Sequence, residues 1–337
     1  MKIIYHNNEE GEFLMKYENF DDFFSNLGSD NNEMMLRWKK IKEKRCKSNF
    51  VVLIIMIFIV SIVYLKFYDS ISYLLGILCI IPIVFVFCIV YFISLDILGN
   101  KDVSVFNKDY KEKIINKLLE NFIEELDYDP LKKLSSNIYD EAQYGRKYNR
   151  FHSDDYFEGK INGKKIVMAD LLVELETGTG DDYSCDKVFN GLFGKIELDK
   201  SINSNIRIIR ENRLFISKKG KIEMDSYEFE KKFNVYADNN IIAMQLLTPD
   251  VQEDILELYN KYKINFYISI IQNKMYFLFN TGRMFEVNAD RILLNDVSLI
   301  RKIPRDPNEA LEKYFDIMKF IYKLVYKITK TIDDAKI

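Results

Sequence analysis

The sequence is poor in the residues from which most metal and nucleophilic sites are built. Of its 337 residues only 2 are histidine, His6 and His152, and 4 are cysteine. Cys46 lies beside an apolar run, Cys79 and Cys88 lie inside another, and Cys185 stands alone in the rest of the chain. No CxxC or metal-type spacing occurs, so a disulfide framework or a zinc site outside the apolar runs is excluded. The sparse cysteine fits a reducing compartment. G-x-S-x-G is absent, and Cys185 has no histidine partner at a recognisable spacing. Gly178 and Gly180 lack both the lysine of a P-loop and the third glycine of a dinucleotide fingerprint. The formal net charge is −3. Residues 1–95 hold 10 basic and 10 acidic side chains, leaving 38 and 41 for the remainder. The basic field that nucleic-acid binding needs is therefore missing.

Charge is missing in one more place, and there the absence is informative. Phe50–Leu65 and Ile71–Leu95 contain no charged residue, and only Lys66–Ser70 separates them. A helix needs about 20 apolar residues to cross a bilayer, with a range of about 17–25. The second run meets this outright. Ser48, Asn49 and a snorkelling Lys66 extend the first. The reading is a transmembrane helical hairpin over residues 50–95 that remains as an anchor, since no signal peptide is evident. Arg37, Lys39, Lys40, Lys42, Lys44, Arg45 and Lys47 crowd the segment before the first run. They predict contact with anionic headgroups on the cytoplasmic side and, with two spans, both termini in the cytoplasm at the inner membrane.

The expected organisation is a cytoplasmic N-terminal helical segment (1–49), the hairpin (50–95) and a cytoplasmic α+β domain (96–337) built on mostly antiparallel sheet with flanking helices. Phe20, Phe23, Phe24 and Leu27 follow helical spacing up to Gly28, and a second helix is expected over Asn32–Asn49. Phe106 to Leu126 reads as an amphipathic helix ended by Asp129-Pro130. A short helix is expected after Ser135. From Asp155 the period changes to two. Asn162-Gly163 predicts a hairpin turn, and Val167, Ala169, Leu171, Val173 and Leu175 predict a strand with one apolar face. Residues 177–186 read as a loop, and KVFNGLFGKIELD, NIRIIR and RLFIS as strands, with Gly191 and Gly194 marking a bulge or close strand contact. Ser226 to Phe233 is a short helix, and NVYADNNIIAMQLL returns to strand. Thr248-Pro249 starts a helix, and INFYISII, KMYFLF and RMFEV are strands. In the last helix, from about Asn308 to Lys330, Leu311, Met318, Val325 and Ile332 recur at seven and Tyr314, Ile321 and Ile328 three later. This forms a seam that Phe315 and Tyr322 widen. Packing on its own domain, pairing with a second copy and lying on the leaflet all fit that seam.

Six phrases stand in a suggestive order: YDP at 128, DDYFEG at 154, VFNGLFGKI at 188, YEFEKKFNVYAD at 227, LLTPD at 246 and the apolar strand pair at 264–279. Together they resemble the bacterial family of domain of unknown function 3137. The resemblance covers most of residues 100–330 and the hairpin. It implies two N-terminal spans and a cytoplasmic domain, and it brings no activity, substrate or catalytic residue. Where family members often have Gly-Glu-Asp, this chain has Ser153-Asp154-Asp155.

The densest polar cluster is His152, Asp154, Asp155 and Glu158, which reads as a solvated turn at the start of a strand. No catalytic, cofactor-binding or metal residue is assigned from sequence. The 25 phenylalanines and 22 tyrosines are read as core. The resulting expectation is an integral membrane protein whose cytoplasmic part is a binding or scaffold module without catalysis. The alternative is a membrane-associated hydrolase of unknown substrate. Expected partners are the lipid bilayer and a protein, or a second copy through the C-terminal helix, with no nucleic acid and no cofactor.

Overall fold

The structure, a computed structural model, describes residues 15–67, 102–179, 182–210, 220–282, 284–285 and 307–334. The chain divides into two compact units: one of residues 1–26, 115–286 and 310–337, the other of residues 27–114 and 287–309.

Of helix α1 (Phe20–Phe67), the part from Leu27 onward belongs to the second unit, and there it carries the chain through the basic segment into the first apolar run. It is broken only at Gly28, where φ 49° and ψ −118° leave the helical region. The two helices expected on either side of Gly28 are thus present, meeting at a kink there, and the second runs on past Asn49 to Phe67. Helical residues 102–110 lie alongside. Trp38 meets Phe106 with ring centroids 5.0 Å apart. Arg37 pairs with Asp109 at 2.5 Å and Lys44 with Asp102 at 2.6 Å. Among the described residues no helix is long and apolar enough to cross a membrane. Most side chains of the first apolar run and all of Ile71–Leu95 lie outside the described residues.

The first unit is a nine-stranded sheet in which every neighbouring pair is antiparallel. The strands are β1 (Glu124–Asp129), β2 (Arg150–Ile161), β3 (Lys164–Thr177), β4 (Ser184–Glu197), β5 (Ile206–Arg210), β6 (Lys221–Ile222), β7 (Phe233–Ala237), β8 (Phe266–Ile271) and β9 (Lys274–Phe279). Their order is β1-β2-β3-β4-β9-β8-β5-β7-β6. The α+β expectation holds for this unit. The Asn162-Gly163 hairpin is present, with both residues at positive φ (51° and 71°) as a two-residue turn requires.

Both faces of the sheet are covered. On one, Phe266 and Phe279 meet Phe320 of the last helix at 6.4 and 6.0 Å. On the other, Tyr267, Tyr276, Leu278, Phe193, Leu171 and Tyr139 form one cluster. The single apolar face expected of β3 is therefore incomplete, because Ile166 and Met168 on its other face are buried as well. At Gly191, φ is 152° and a Cβ would stand 2.0 Å from the Phe279 carbonyl oxygen. This is the close strand contact expected there.

The last helix runs Pro307–Asp334. All nine seam residues, from Leu311 to Ile332, are buried within the chain. Burying each large apolar side chain contributes about 1.5–3 kcal/mol, which explains why this helix docks. Ile317, Phe320 and Leu324, outside the seam, are buried too.

Three expectations fail. The helix expected to reach Leu126 ends at Glu120. The Asn121 side chain accepts from the Tyr17 N–H and donates to the Tyr17 carbonyl, and Glu124–Asp129 becomes an edge strand on β2. Pairing with a strand distant in sequence outweighs the helical period. The strand expected through NVYADNNIIAMQLL stops at Ala237. Asn239, extended at φ −130°, accepts from the Ile241 and Ile242 amides and starts a helix over Asn240–Leu246. The loop expected over 177–186 is shorter, since β4 begins at Ser184. RLFIS lies outside the described residues. Of RMFEV, Met284 and Phe285 are described, and neither is in a strand.

Candidate functional site

The polar cluster picked out in the sequence is rearranged by the fold. His152 is exposed. Glu158 accepts from the Tyr156 hydroxyl at 2.5 Å and from Lys132 at 3.4 Å. The Tyr156 hydrogen bond holds its carboxyl below the usual carboxylate range, against burial and together with Lys132.

Asp154 and Asp155 behave differently, and the reading as a solvated turn is corrected for them. Both lie inside β2, and Asp155 is completely buried. Asp154 stands directly opposite Asp170 of β3, and residues in that relation share a face of the sheet. Strict alternation would put Asp155 on the other face. The register slips between Asp154 and Phe157, however, and Asp155 has φ 51°, the geometry of a bulge that re-aims a side chain. As a result, Asp154, Asp155 and Asp170 each offer a carboxylate oxygen, and these oxygens all lie within 4.8 Å of one another.

Neighbouring groups hold the cluster in place. The Tyr128 hydroxyl of β1 donates to Asp155 Oδ1 at 2.7 Å. The backbone N–H groups of Met284 and Phe285 donate to Asp170 Oδ2 at 2.6 and 3.3 Å. Asp170 Oδ1 is buried and has no hydrogen-bond partner. Burial first, then the charges of Asp155 and Asp154, hold the Asp170 carboxyl well above the usual carboxylate range; the two backbone donors oppose this. Burial, then the charge of Asp155 and the hydrogen bond to it, raise the Tyr128 hydroxyl.

The sequence singled out Asp154 and Asp155, though as a solvated turn, and missed Asp170. The available signal was a carboxylate between Met168 and Leu172 on an otherwise apolar face of a strand. Elsewhere the described residues offer shallow, charged hollows. One of about 310 Å³ is lined by Glu158, Lys160, Lys165, Lys195 and Glu197. Another of about 150 Å³ is lined by Leu258, Lys261, Tyr262, Asp316 and Phe320. In the latter, Lys261 reaches Asp316 at 2.6 Å and Glu312 at 2.9 Å. Cys185 is exposed and lies in β4.

Of the seven basic residues expected at the membrane surface, Arg37 and Lys44 are ion-paired, and Lys39, Lys40 and Lys47 are exposed. The side chains of Lys42 and Arg45 lie outside the described residues.

Fold and cluster together define an α+β protein on a long antiparallel sheet with a buried carboxylate group. Residues 187–330 match the family model described as protein of unknown function (DUF3137). That segment belongs to the family that the ordered phrases predict. No curated protein matches the chain. A solved structure, the mycobacterial trehalose monomycolate transport factor A, is similar at 9% identity with a TM-score of 0.33, covering 60% of this chain and 88% of its own. At that level the likeness carries no argument about function.

Proposed function

We propose that the chain is a membrane-anchored binding or scaffold module, held by a helical hairpin over residues 50–95, with both termini and the sheet unit in the cytoplasm. The observation that carries this reading is the continuity of α1. The helix brings Arg37–Lys47 directly into Phe50–Leu65 without a break, the arrangement in which basic residues meet anionic headgroups while an apolar run continues into the hydrocarbon. A binding role is supported by the shallow, self-paired hollows. They differ from the concave apolar pockets in which small substrates are usually held.

Topology is tested with a membrane-impermeant thiol reagent on Cys185, with the other cysteines replaced. Protection in intact cells and labelling after permeabilisation are expected. Labelling in intact cells would place the sheet unit outside and overturn the reading. Binding is tested by affinity capture of the full chain from gently solubilised membranes. A stoichiometric protein partner that recurs across detergents supports the module. Capture of lipid and detergent alone would count against it.

A second reading, a membrane-associated hydrolase, draws on the buried trio Asp154, Asp155 and Asp170, since converging carboxylates are the commonest acid–base groups after histidine. Pairing through the last helix would require its seam to leave the positions it occupies within the chain.

A further inference from the structure

We propose that Asp154, Asp155 and Asp170 form a binding site for one hard divalent cation, of the magnesium, calcium or manganese class. The inference does not depend on the membrane reading, because the site lies wholly within the sheet unit.

Three observations converge on a cation. The first is spacing. Oxygens sharing a hard cation at about 2.1–2.5 Å are separated by roughly 3 Å when adjacent and up to about 5 Å when opposed. The carboxylate oxygens of the trio all fall within 4.8 Å of one another.

The second is the unpartnered oxygen. Asp170 is 2% exposed, its Oδ2 takes both backbone amides, and its Oδ1 has none. A buried carboxylate oxygen without a donor is costly unless a cation stands at it. Asp170 is also the residue placed opposite Asp154, in the relation where like charges destabilise a sheet. A divalent ion reverses the sign of that contact.

The third is the outer layer. Tyr128 fixes Asp155 through one oxygen, and the Met284–Phe285 backbone fixes Asp170 through one oxygen. Two of the three acids are thus oriented by neighbouring groups, and Asp170 keeps its Oδ1 for the shared space, as outer partners orient ligands at metal sites. The donor set is oxygen only, with no histidine or cysteine in the group. This selects hard cations over zinc and copper. Three carboxylates leave positions for water, so exchange with solvent ions is expected.

The experiment uses the full chain in mild detergent after chelator treatment, with Mn2+ as the probe. Free Mn2+ is read by electron paramagnetic resonance during titration, and melting is followed with Mn2+, Mg2+ and Ca2+. One bound Mn2+ per chain is expected, displaced by Mg2+ or Ca2+, with a rise in melting temperature that grows with cation concentration. Asp170→Asn, which keeps the shape and the backbone hydrogen bonds, is expected to weaken binding at least tenfold and to abolish the cation-dependent rise. If Asp170→Asn fails to fold, the half-buried Asp154→Asn is read in the same way. Absence of stoichiometric binding at millimolar Mn2+, or binding that both variants retain undiminished, would overturn the proposal. In that case a proton, not a metal, balances the trio.

Discussion

Phe315 in the last helix and Phe23 near the start of α1 lie with ring centroids 5.5 Å apart. Phe20 at 5.8 Å and Phe122 at 5.1 Å complete the group around Phe315. One ring therefore joins three segments that are far apart in sequence. Phe315→Ala is expected to cost about 3–5 kcal/mol, the range for a buried aromatic truncated in a core. Phe315→Leu is expected to cost less than half of that. Denaturant unfolding of the full chain in detergent measures both, and a loss under about 1 kcal/mol for the alanine variant would show that the helix is held elsewhere.

Two glycines in the sheet unit are expected to respond differently to the same change. Gly191→Ala forces a Cβ to within 2.0 Å of the Phe279 oxygen at φ 152°, so β4 and β9 must separate locally. A loss of more than about 3 kcal/mol is expected, comparable to a core defect. Gly163→Ala has open space around its Cβ at φ 71°, leaving the left-handed penalty of about 1–2 kcal/mol. Similar losses at both positions would mean that the β4–β9 contact yields easily.

Asn239→Ala removes the side chain that accepts from the Ile241 and Ile242 amides. A cost of about 0.5–2 kcal/mol is expected, and Asn239→Asp is expected to keep most of the stability. Equal loss in both variants, measured by thermal unfolding, would remove the cap as the reason this segment is helical.

High pH is expected to destabilise the sheet unit through a buried tyrosine. Burial pushes the Tyr267 hydroxyl up to about 12, and it donates to the Ala142 carbonyl at 3.0 Å. The folded value lies above the unfolded one near 10. Its contribution is therefore complete below about pH 10 and is lost as pH rises toward about 12, a loss on the order of 2–3 kcal/mol. Tyr267→Phe is expected to flatten the stability profile over that window. An unchanged slope between pH 10 and 12 would assign the alkaline loss to other tyrosines.

Much of the sheet was legible because its signals are local. Asn162-Gly163 is turn chemistry, Pro249 opens its helix as expected although Thr248 makes no side-chain cap hydrogen bond, and the seam of the last helix is a seven-residue period. What the sequence hid depends on distant partners. Glu124–Asp129 continues a helical pattern and becomes a strand only because β2 offers it an edge. Asp154 and Asp155 look like a charged turn until the bulge folds them toward a carboxylate in the next strand. Asp170 itself interrupts an apolar face by a single residue, and nothing short of the β2–β3 register connects it with Asp154.

The strand order also has a consequence for how the chain is made. β4 pairs on its far side with β9, so its edge from Leu192 to Glu197 has no partner until residues 274–279 exist. Synthesis of the 77 residues from Glu197 to Lys274 takes roughly 4–15 s at ribosomal speeds of about 5–20 residues per second. During that interval the meander β1–β4 presents an open, largely apolar strand edge to other nascent chains, the geometry from which intermolecular pairing starts. Ribosome-bound chains stalled between about residues 240 and 310, with β4 outside the exit tunnel and β9 still within it, are therefore expected to recruit holdase chaperones, and chains stalled beyond about residue 320, once β9 has left the tunnel, to release them.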